Sequence, residues 1–532
     1  MQSRSLSKAL TDGAINFGLL IISALMFSLA FPNFLSYWGF FPFGFICLIP
    51  VFIVVHRSSW ITIPIYGLIY GFTAYAIFNY WLVNFHPLSI FIVPVIYAVY
   101  FMMLFPLLKG ADAIFPKYGY LLQIGLWIGY EYLRTRGFLG YPYGIIGYSQ
   151  YLFVPLVRLS AVTGIWGVSL LVIFPSAFLG NALKNGIFSV KTFFLKHKWE
   201  PLIYAGVFIL ALAYGIISKS NYQGADTLKV ALVQQNVDPK IGGLRAYRRS
   251  LDILKKHSNA ALKDNPDMII WSETSFVPGI TFHTKYREDQ ERYLLVKELT
   301  DFLSAQDIPF VFGNGDGELI RTARGLVRQD YNSAILYDKE FVDSYYKTRL
   351  VPFTEHFPYR KQFPWLYNAL VEADTSFWAA GDEFTVFEAA GVKFSTPICF
   401  EDTFGYISRT FVNEGAELII NLTNDSWSES VAAAMQHMAM AVFRAAENRV
   451  SVVRSTNGGI SCIIDPNGKI IEIYPAFVEG YMIGEVPVYT GRKTVYRVLG
   501  NWFPVGVLWT TVAVFITGMV LYIIRKLRGQ NT

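Results

Sequence analysis

The sequence predicts a polytopic α-helical membrane domain of about eight spans that carries an extracytoplasmic α/β domain. Three observations lead there. Of the 532 residues, 53% are hydrophobic and 17% aromatic, and the mean hydropathy of +0.36 exceeds the usual soluble range. The apolar residues gather in eight stretches of roughly the 20 residues that a helix needs to cross hydrocarbon. Between the seventh and the eighth lies different material, which holds most of the Asp and Glu and only short apolar runs.

The expected spans cover about 13 to 31, 34 to 55, 61 to 84, 88 to 108, 118 to 136, 159 to 183, 200 to 218 and 503 to 524. Only Pro32 and Asn33 separate the first two. MQSRSLSKALTD resembles the start of a signal peptide, but a retained first helix is expected. Lys and Arg set the orientation, because cytoplasmic loops hold an excess of them. Arg4 and Lys8 precede the first span, Arg57 follows the second, and Lys109 and Lys117 follow the fourth. Lys184, Lys191, Lys196 and Lys198 follow the sixth, and Arg525, Lys526 and Arg528 the eighth. With eight spans all of these fall on one side, so both termini are expected in the cytoplasm and the segment from about 219 to 500 on the opposite face. The organisation is thus a transmembrane domain of seven helices over 1–218, an α/β domain over 219–500, and a final transmembrane helix with a cytoplasmic tail over 501–532. The net charge of +6 sits beside apolar segments and forms no basic stripe, which reads as topology and argues against nucleic acid. Cys47, Cys399 and Cys462 lie far apart without Cys-x-x-Cys or Cys/His spacing, so neither a disulfide framework nor a metal site is expected.

Within the long segment, LKVALVQQNV (228–237), DMIIWSETSF (267–276), IPFVFGNGD (308–316), SAILYD (333–338), KFSTPICFED (393–402), AELIINLTND (416–425), VSVVRSTNG (450–458) and ISCIIDPNG (460–468) read as buried strands ending in polar or Gly-rich turns. LDILKKHSNAALK, LLVKELTDFLSAQ and AAAMQHMAMAVFRAAENR have helical composition and apolar spacing. Strands that alternate with helices predict an α/β layered domain.

Three polar residues follow predicted strands, where a rigid sheet presents side chains to a common pocket: Glu273 in IIWSETS, Lys347 in YYKTRLVPFTEH and Cys399 in TPICFED. Singly, each has an ordinary explanation. A Cys after an apolar run is usually a small core residue, and an isolated Glu or Lys is usually a solvated surface charge. The combination, in this chain order, matches the Glu-Lys-Cys triad of the nitrilase superfamily. Glu355 eight residues after Lys347, Glu401 two after Cys399, and NLTND at 421–425 extend the match. With the membrane frame, EYLRTRGFLGYPYGIIGYSQ (131–150), WSETS, LVPFTEHFP, ICFED, NLTNDSW, RSTNGGIS and the GNWFP entering the last span, nearly the whole chain resembles the apolipoprotein N-acyltransferase family of bacterial envelopes.

That resemblance implies a nitrilase-like αββα sandwich for the α/β domain, on the periplasmic side of the bacterial cytoplasmic (inner) membrane. It implies transfer of an acyl chain from a phospholipid donor to the α-amine of an S-diacylglyceryl cysteine on an apolipoprotein acceptor. No cofactor is expected. An amine does not readily displace an alkoxide from a glycerolipid ester, so a thioester intermediate splits one difficult exchange into two easier steps. Cys399 is then the nucleophile, Glu273 the general base, and Lys347 the ammonium that stabilises the oxyanion. Glu355 is expected to hold Lys347 in place and Glu401 to orient the loop after the nucleophile. Both substrates are held in the bilayer by their lipid chains, so Cys399 is expected near the outer membrane-water boundary, and the kinetics are expected to be ping-pong. Arg134 and Arg136, at the non-cytoplasmic end of the fifth span, suit either a lipid-phosphate clamp or simple snorkelling. Cys47 and Cys462 read as structural.

The chain departs from the family pattern in two loops. NVDPKIGGLRAY lacks the Lys-Trp pair that usually follows the VQ strand, and NLTND continues SWSES where Trp-Phe-Gly is usual. Both leave the triad intact and bear on the choice of acyl chain and headgroup. The competing readings are a membrane-tethered nitrilase-type amidase or hydrolase, and an inactive membrane scaffold of the same fold. The intact triad argues against the scaffold, and the sparse intramembrane charge argues against a transporter.

Overall fold

A computed structural model describes residues 2–85, 89–322, 325–372, 377–489 and 491–528. The chain divides into two units, Met1–Lys219 with Leu499–Thr532, and Ser220–Val498.

The first unit is helical. Among the described residues five of its segments are long and apolar enough to cross a bilayer: Leu10–Ala30, Ser89–Ile114, Ile165–Leu183, Trp199–Ile217 and Trp502–Leu527. The other expected spans are shorter. The second, expected over 34–55, is broken into a 3-10 turn, Phe41–Phe45, and a helix, Ile49–Arg57, each with a proline in its first turn. A proline has no N–H to continue a preceding helix, so it starts new ones. The third and fifth are Ile63–Phe78 and Gly119–Leu133. The sixth is interrupted at Gly164, whose φ of +62° ends the Ser160–Thr163 turn before Ile165–Leu183 begins. The first residue of the fourth expected span, 88, and residues 529–532 of the expected tail lie outside the described residues. Ile63–Phe78 packs against Ser89–Ile114 through Gly67 and Gly71, where added Cβ atoms would stand 2.3 Å from Phe101 O and 2.4 Å from Tyr97 O. Small residues four apart let helices approach where lipid supplies no hydrophobic drive. Arg134 is buried, and its Nη1 donates to Tyr97 Oη (2.6 Å), Tyr141 O (2.7 Å) and Tyr143 O (2.9 Å), so it braces the following turn. Arg136 is exposed, with its guanidinium 4.5 Å over the Tyr132 ring.

The second unit is a sandwich of two six-stranded sheets. Its strands are β1 Thr227–Gln234, β2 Met268–Trp271, β3 Phe310–Thr322, β4 Gly325–Asp338, β5 Glu340–Tyr346, β6 Val386–Ala389, β7 Val392–Ser395, β8 Leu418–Thr423, β9 Ser451–Thr456, β10 Ser461–Ile464, β11 Ile470–Tyr474 and β12 Gly480–Pro487. One sheet runs β12-β1-β2-β3-β4-β5 and the other β11-β10-β9-β8-β7-β6. The centre of each is three parallel strands, β1-β2-β3 and β7-β8-β9. The sheets face each other, with the Ser455 hydroxyl donating to Ile270 O across 3.2 Å. Outside the first sheet, Leu251, Leu254, Leu295, Leu299 and Leu303 of helices Leu244–Ala261 and Gln290–Ser304 pack on Val233, Ile269, Trp271 and Phe312. Helices Gly405–Asn413 and Val431–Asn448 accompany the second sheet. Two of these helices carry N-caps, Asp289 accepting from Arg292 N and Ser430 from Ala433 N. The layers are α, β, β, α.

Candidate functional site

Parallel strands concentrate polar loops at their carboxyl ends, where ligands bind in α/β folds. Glu273 lies two residues past β2, Lys347 directly past β5, and Cys399 opens the 3-10 turn Cys399–Thr403 after β7. The approach of β3 to the Glu273 turn is very close. A Cβ at Gly313 would stand 2.4 Å from Thr274 N and 2.6 Å from Glu273 Cα, so only glycine fits there. Thr274 and Cys399 both have positive φ, +47° and +50°. Non-glycine residues hold such conformations only where the surroundings over-determine them.

Lys347 is fully buried, and its Nζ lies 2.8 Å from Glu355 Oε1 and 3.3 Å from Glu273 Oε1. The Cys399 thiol, half-buried, lies close enough to the Glu273 carboxylate for each to influence the other's protonation. Asn332 Nδ2 donates to Glu273 Oε1 at 2.8 Å, and Glu355 Oε2 accepts from Val351 N at 2.8 Å. Charge follows from these contacts. Burial alone would strip the proton from Lys347, yet the Glu355 and Glu273 carboxylates more than offset it and hold the ammonium above its ordinary range. Burial pushes Glu273 up, against the pull of Lys347. Burial, reinforced by Glu273, pushes the Cys399 thiol well up although Lys347 opposes it. The resting cluster therefore favours a thiol, a carboxylate of raised basicity and a fixed ammonium.

Glu401 is fully buried and reaches further than the loop after the nucleophile. It accepts from Ile398 N (2.8 Å) before Cys399, and from Thr348 N (2.8 Å), Thr348 Oγ1 (2.8 Å), Arg349 N (2.9 Å) and Tyr345 Oη (2.8 Å) around Lys347. One carboxylate thus spans the two strand ends that carry Lys347 and Cys399.

The structure brings Glu273, Lys347, Glu355 and Cys399 together, with Glu401 behind them. Sequence reasoning missed Asn332 and Tyr345, whose only signal was a polar group inside or beside apolar strands, in DYNSAILYD and DSYYK. It also missed the partners of Asp402, a residue of the quoted ICFED motif. Cys462 is buried in β10, where burial pushes its thiol up to about 12. Cys47 is buried in the helical unit.

Comparison with known proteins agrees over both halves of the chain. The carbon-nitrogen hydrolase family matches residues 229–496, and the apolipoprotein N-acyltransferase N-terminal domain matches residues 23–178. The chain is 42% identical over 521 residues to apolipoprotein N-acyltransferase 1 of Treponema denticola, covering 94% of this chain and 95% of that one. It is 38% identical over 530 residues to apolipoprotein N-acyltransferase 1 of Treponema pallidum, covering 96% and 97%. It is 31% identical over 524 residues to apolipoprotein N-acyltransferase 2 of Treponema denticola, covering 92% and 95%. Two matched domains in one order, near-complete coverage of relatives that share one name, and a nitrilase-like sandwich make this chain a member of the apolipoprotein N-acyltransferase family.

Proposed function

We propose that this acyltransferase removes an acyl chain from a phospholipid, holds it as a thioester on Cys399, and passes it to the N-terminal amine of an S-diacylglyceryl cysteine on apolipoproteins. The observation that carries the reading is the meeting of a thiol, a basic carboxylate and a fixed ammonium within one cluster. Glu273 takes the Cys399 proton as sulfur attacks the ester carbonyl, so a free thiolate never has to accumulate in a buried site. The oxyanion that forms is stabilised by the Lys347 ammonium, which Glu355 fixes in place. Collapse expels the lysophospholipid, whose alkoxide takes the proton from Glu273. The incoming amine then attacks the thioester, Glu273 accepts its proton, and Cys399 leaves and is reprotonated. One thioester is emptied before the next forms, which is ping-pong catalysis.

The Lys and Arg distribution supports insertion in the inner membrane with both termini cytoplasmic and the Ser220–Val498 unit periplasmic. The chemical step is tested by incubating the purified full-length protein with phospholipid and weighing the intact chain. The expected result is a gain of one acyl group that maps to Cys399 and is absent in Cys399→Ser, while Cys47→Ser and Cys462→Ser keep it. A Cys399→Ser protein that still transfers acyl chains would overturn the thioester.

A further inference from the structure

Behind the nucleophile turn lies a buried charge cluster that the mechanism above does not use. His437, on the fully buried face of helix Val431–Asn448, places Nε2 2.8 Å from Asp402 Oδ1 and Nδ1 2.8 Å from Asp425 Oδ1. Arg454 of β9 pairs with the other oxygen of Asp402 and lies 3.4 Å from Asp425 Oδ2. Asp402 belongs to the same five-residue turn as Cys399, and Asp425 follows β8.

We infer that His437 is a positioning residue for the nucleophile, tying the turn that carries Cys399 to the loop after β8 by donating one hydrogen bond to Asp402 and one to Asp425. A neutral imidazole has a single N–H, so it could satisfy only one of these carboxylates and would turn a lone pair towards the other. Two donated bonds require the imidazolium. Charge balance agrees: Arg444 pairs with Glu447, and the two carboxylates facing Arg454 leave one negative charge, which the imidazolium cancels where His437, Asp402 and Arg454 are buried. The charged groups that act most strongly on His437 are Asp402 from the nucleophile turn, Arg454 from β9 and Asp425 from the loop after β8. Arg444 and Cys462 lie beyond them, around Asp402.

The geometry explains what the cluster does for the reaction. Cys399 sits at φ +50°, and a strained residue keeps its place only when it is held from several sides. Glu401 holds the turn through Ile398 N, and Asp402 holds it from the opposite end. Asp425 is also close enough to Cys399 to disfavour its thiolate, so its orientation matters to the sulfur directly. Loss of the His437 proton would release one carboxylate and let the turn relax, and small misplacements of reacting groups cost orders of magnitude in rate.

This inference rests on Cys399 as the acyl-accepting nucleophile, and the two fail differently. If the wild-type protein gains no acyl group at Cys399, the proposed function falls; the inference is judged on variants once that adduct is seen. The experiment follows thioester formation by intact mass, with phospholipid varied, from pH 6 to 10, in full-length wild type, His437→Gln, and the H437Q/D425N double variant. Wild type is expected to lose rate above a pH of about 9, where the imidazolium titrates. The single variant should fall at least about tenfold in kcat with an unchanged KM for phospholipid, and its alkaline limb should disappear. In the double variant the two new carboxamides can bond each other while one still donates to Asp402, so most of the lost kcat should return, again without the alkaline limb. A folded H437Q protein with wild-type kcat and a wild-type alkaline limb overturns the inference. If H437Q does not fold, the double variant decides: recovery of activity without the limb supports the role, and a wild-type limb overturns it.

Discussion

A lysine enclosed by two carboxylates has one charge state at neutral pH, and that fact divides the labour in the Glu273, Lys347, Cys399 cluster. Lys347 is fully buried with Glu355 at 2.8 Å and Glu273 at 3.3 Å, so it is a fixed positive charge and cannot serve as a base. Glu273 is the group whose basicity burial has raised, and Asn332 fixes its direction. Glu273→Gln keeps the shape and removes the proton acceptor; Lys347→Met keeps the length and removes the charge. Each is expected to insert normally and to lose roughly two or more orders of magnitude in thioester formation. Rapid-quench assays of acyl-enzyme formation check this, and near-normal rates in either variant would remove its assigned role. The proximity of Glu273, Lys347 and Cys399 was legible because the three stand in local motifs at strand ends. Asn332 was not, because its contact with Glu273 joins positions 59 apart in the chain and no local pattern announces it.

At the scale of elements, the site depends on backbone packing that side-chain motifs do not advertise. Gly313 lets β3 pass against the Glu273 turn, with room for no Cβ. Gly313→Ala is expected to cost about 1–3 kcal/mol through the forced backbone shift, and to reduce acyl-enzyme formation more than it lowers the melting temperature would explain. Calorimetry beside the mass assay separates the two effects. The His437 cluster yields a prediction with a definite sign. Burial opposes the charge on His437, but Asp402 and Asp425 outweigh it and raise its pKa from the ordinary 6.5 to about 9. A raised folded-state pKa contributes stability that is complete below 6.5 and disappears as pH rises through about 9. The melting temperature of wild type should therefore exceed that of H437Q most at pH 6 and progressively less towards pH 10. A gap that does not change with pH would mean the histidine is neutral in the fold. Element reading from sequence found the buried strands β1, β2, β7, β8, β9 and β10, whose apolar runs are dense. It missed β5, β6, β11 and β12, and the outer reach of the β3-β4 hairpin. Those strands are short or carry exposed charges, and cross-strand pairing rather than composition makes them strands.

At the scale of the whole molecule, membrane topology is the consequence to test. Reporter fusions near residue 240 and after Arg528 should read the periplasm and the cytoplasm respectively, because the Lys and Arg of the loops gather on one side of an eight-span frame. Two cytoplasmic readings would overturn that span count. Among the described residues five helices have full membrane length, so an eight-span frame requires crossings by shorter segments such as Ile63–Phe78 and Gly119–Leu133. Helices of 16 and 15 residues can still span where flanking aromatic and charged residues extend to the interface.

By itself the sequence determined the division into an apolar helical part and an α/β part, and singled out Glu273, Lys347 and Cys399 as residues that the fold brings together. Hydropathy and short strand-end motifs are local quantities, carried by neighbouring residues. Tertiary structure decided the rest. It set where proline and Gly164 break the expected spans, since that depends on packing as well as composition. It turned Glu401 from one carboxylate among many into the bridge between two strand ends, and joined Asp402, Asp425, His437 and Arg454 from four separate elements. A buried charge is tolerable only beside its partner, and which partner that is becomes fixed when the sheets and helices close around it.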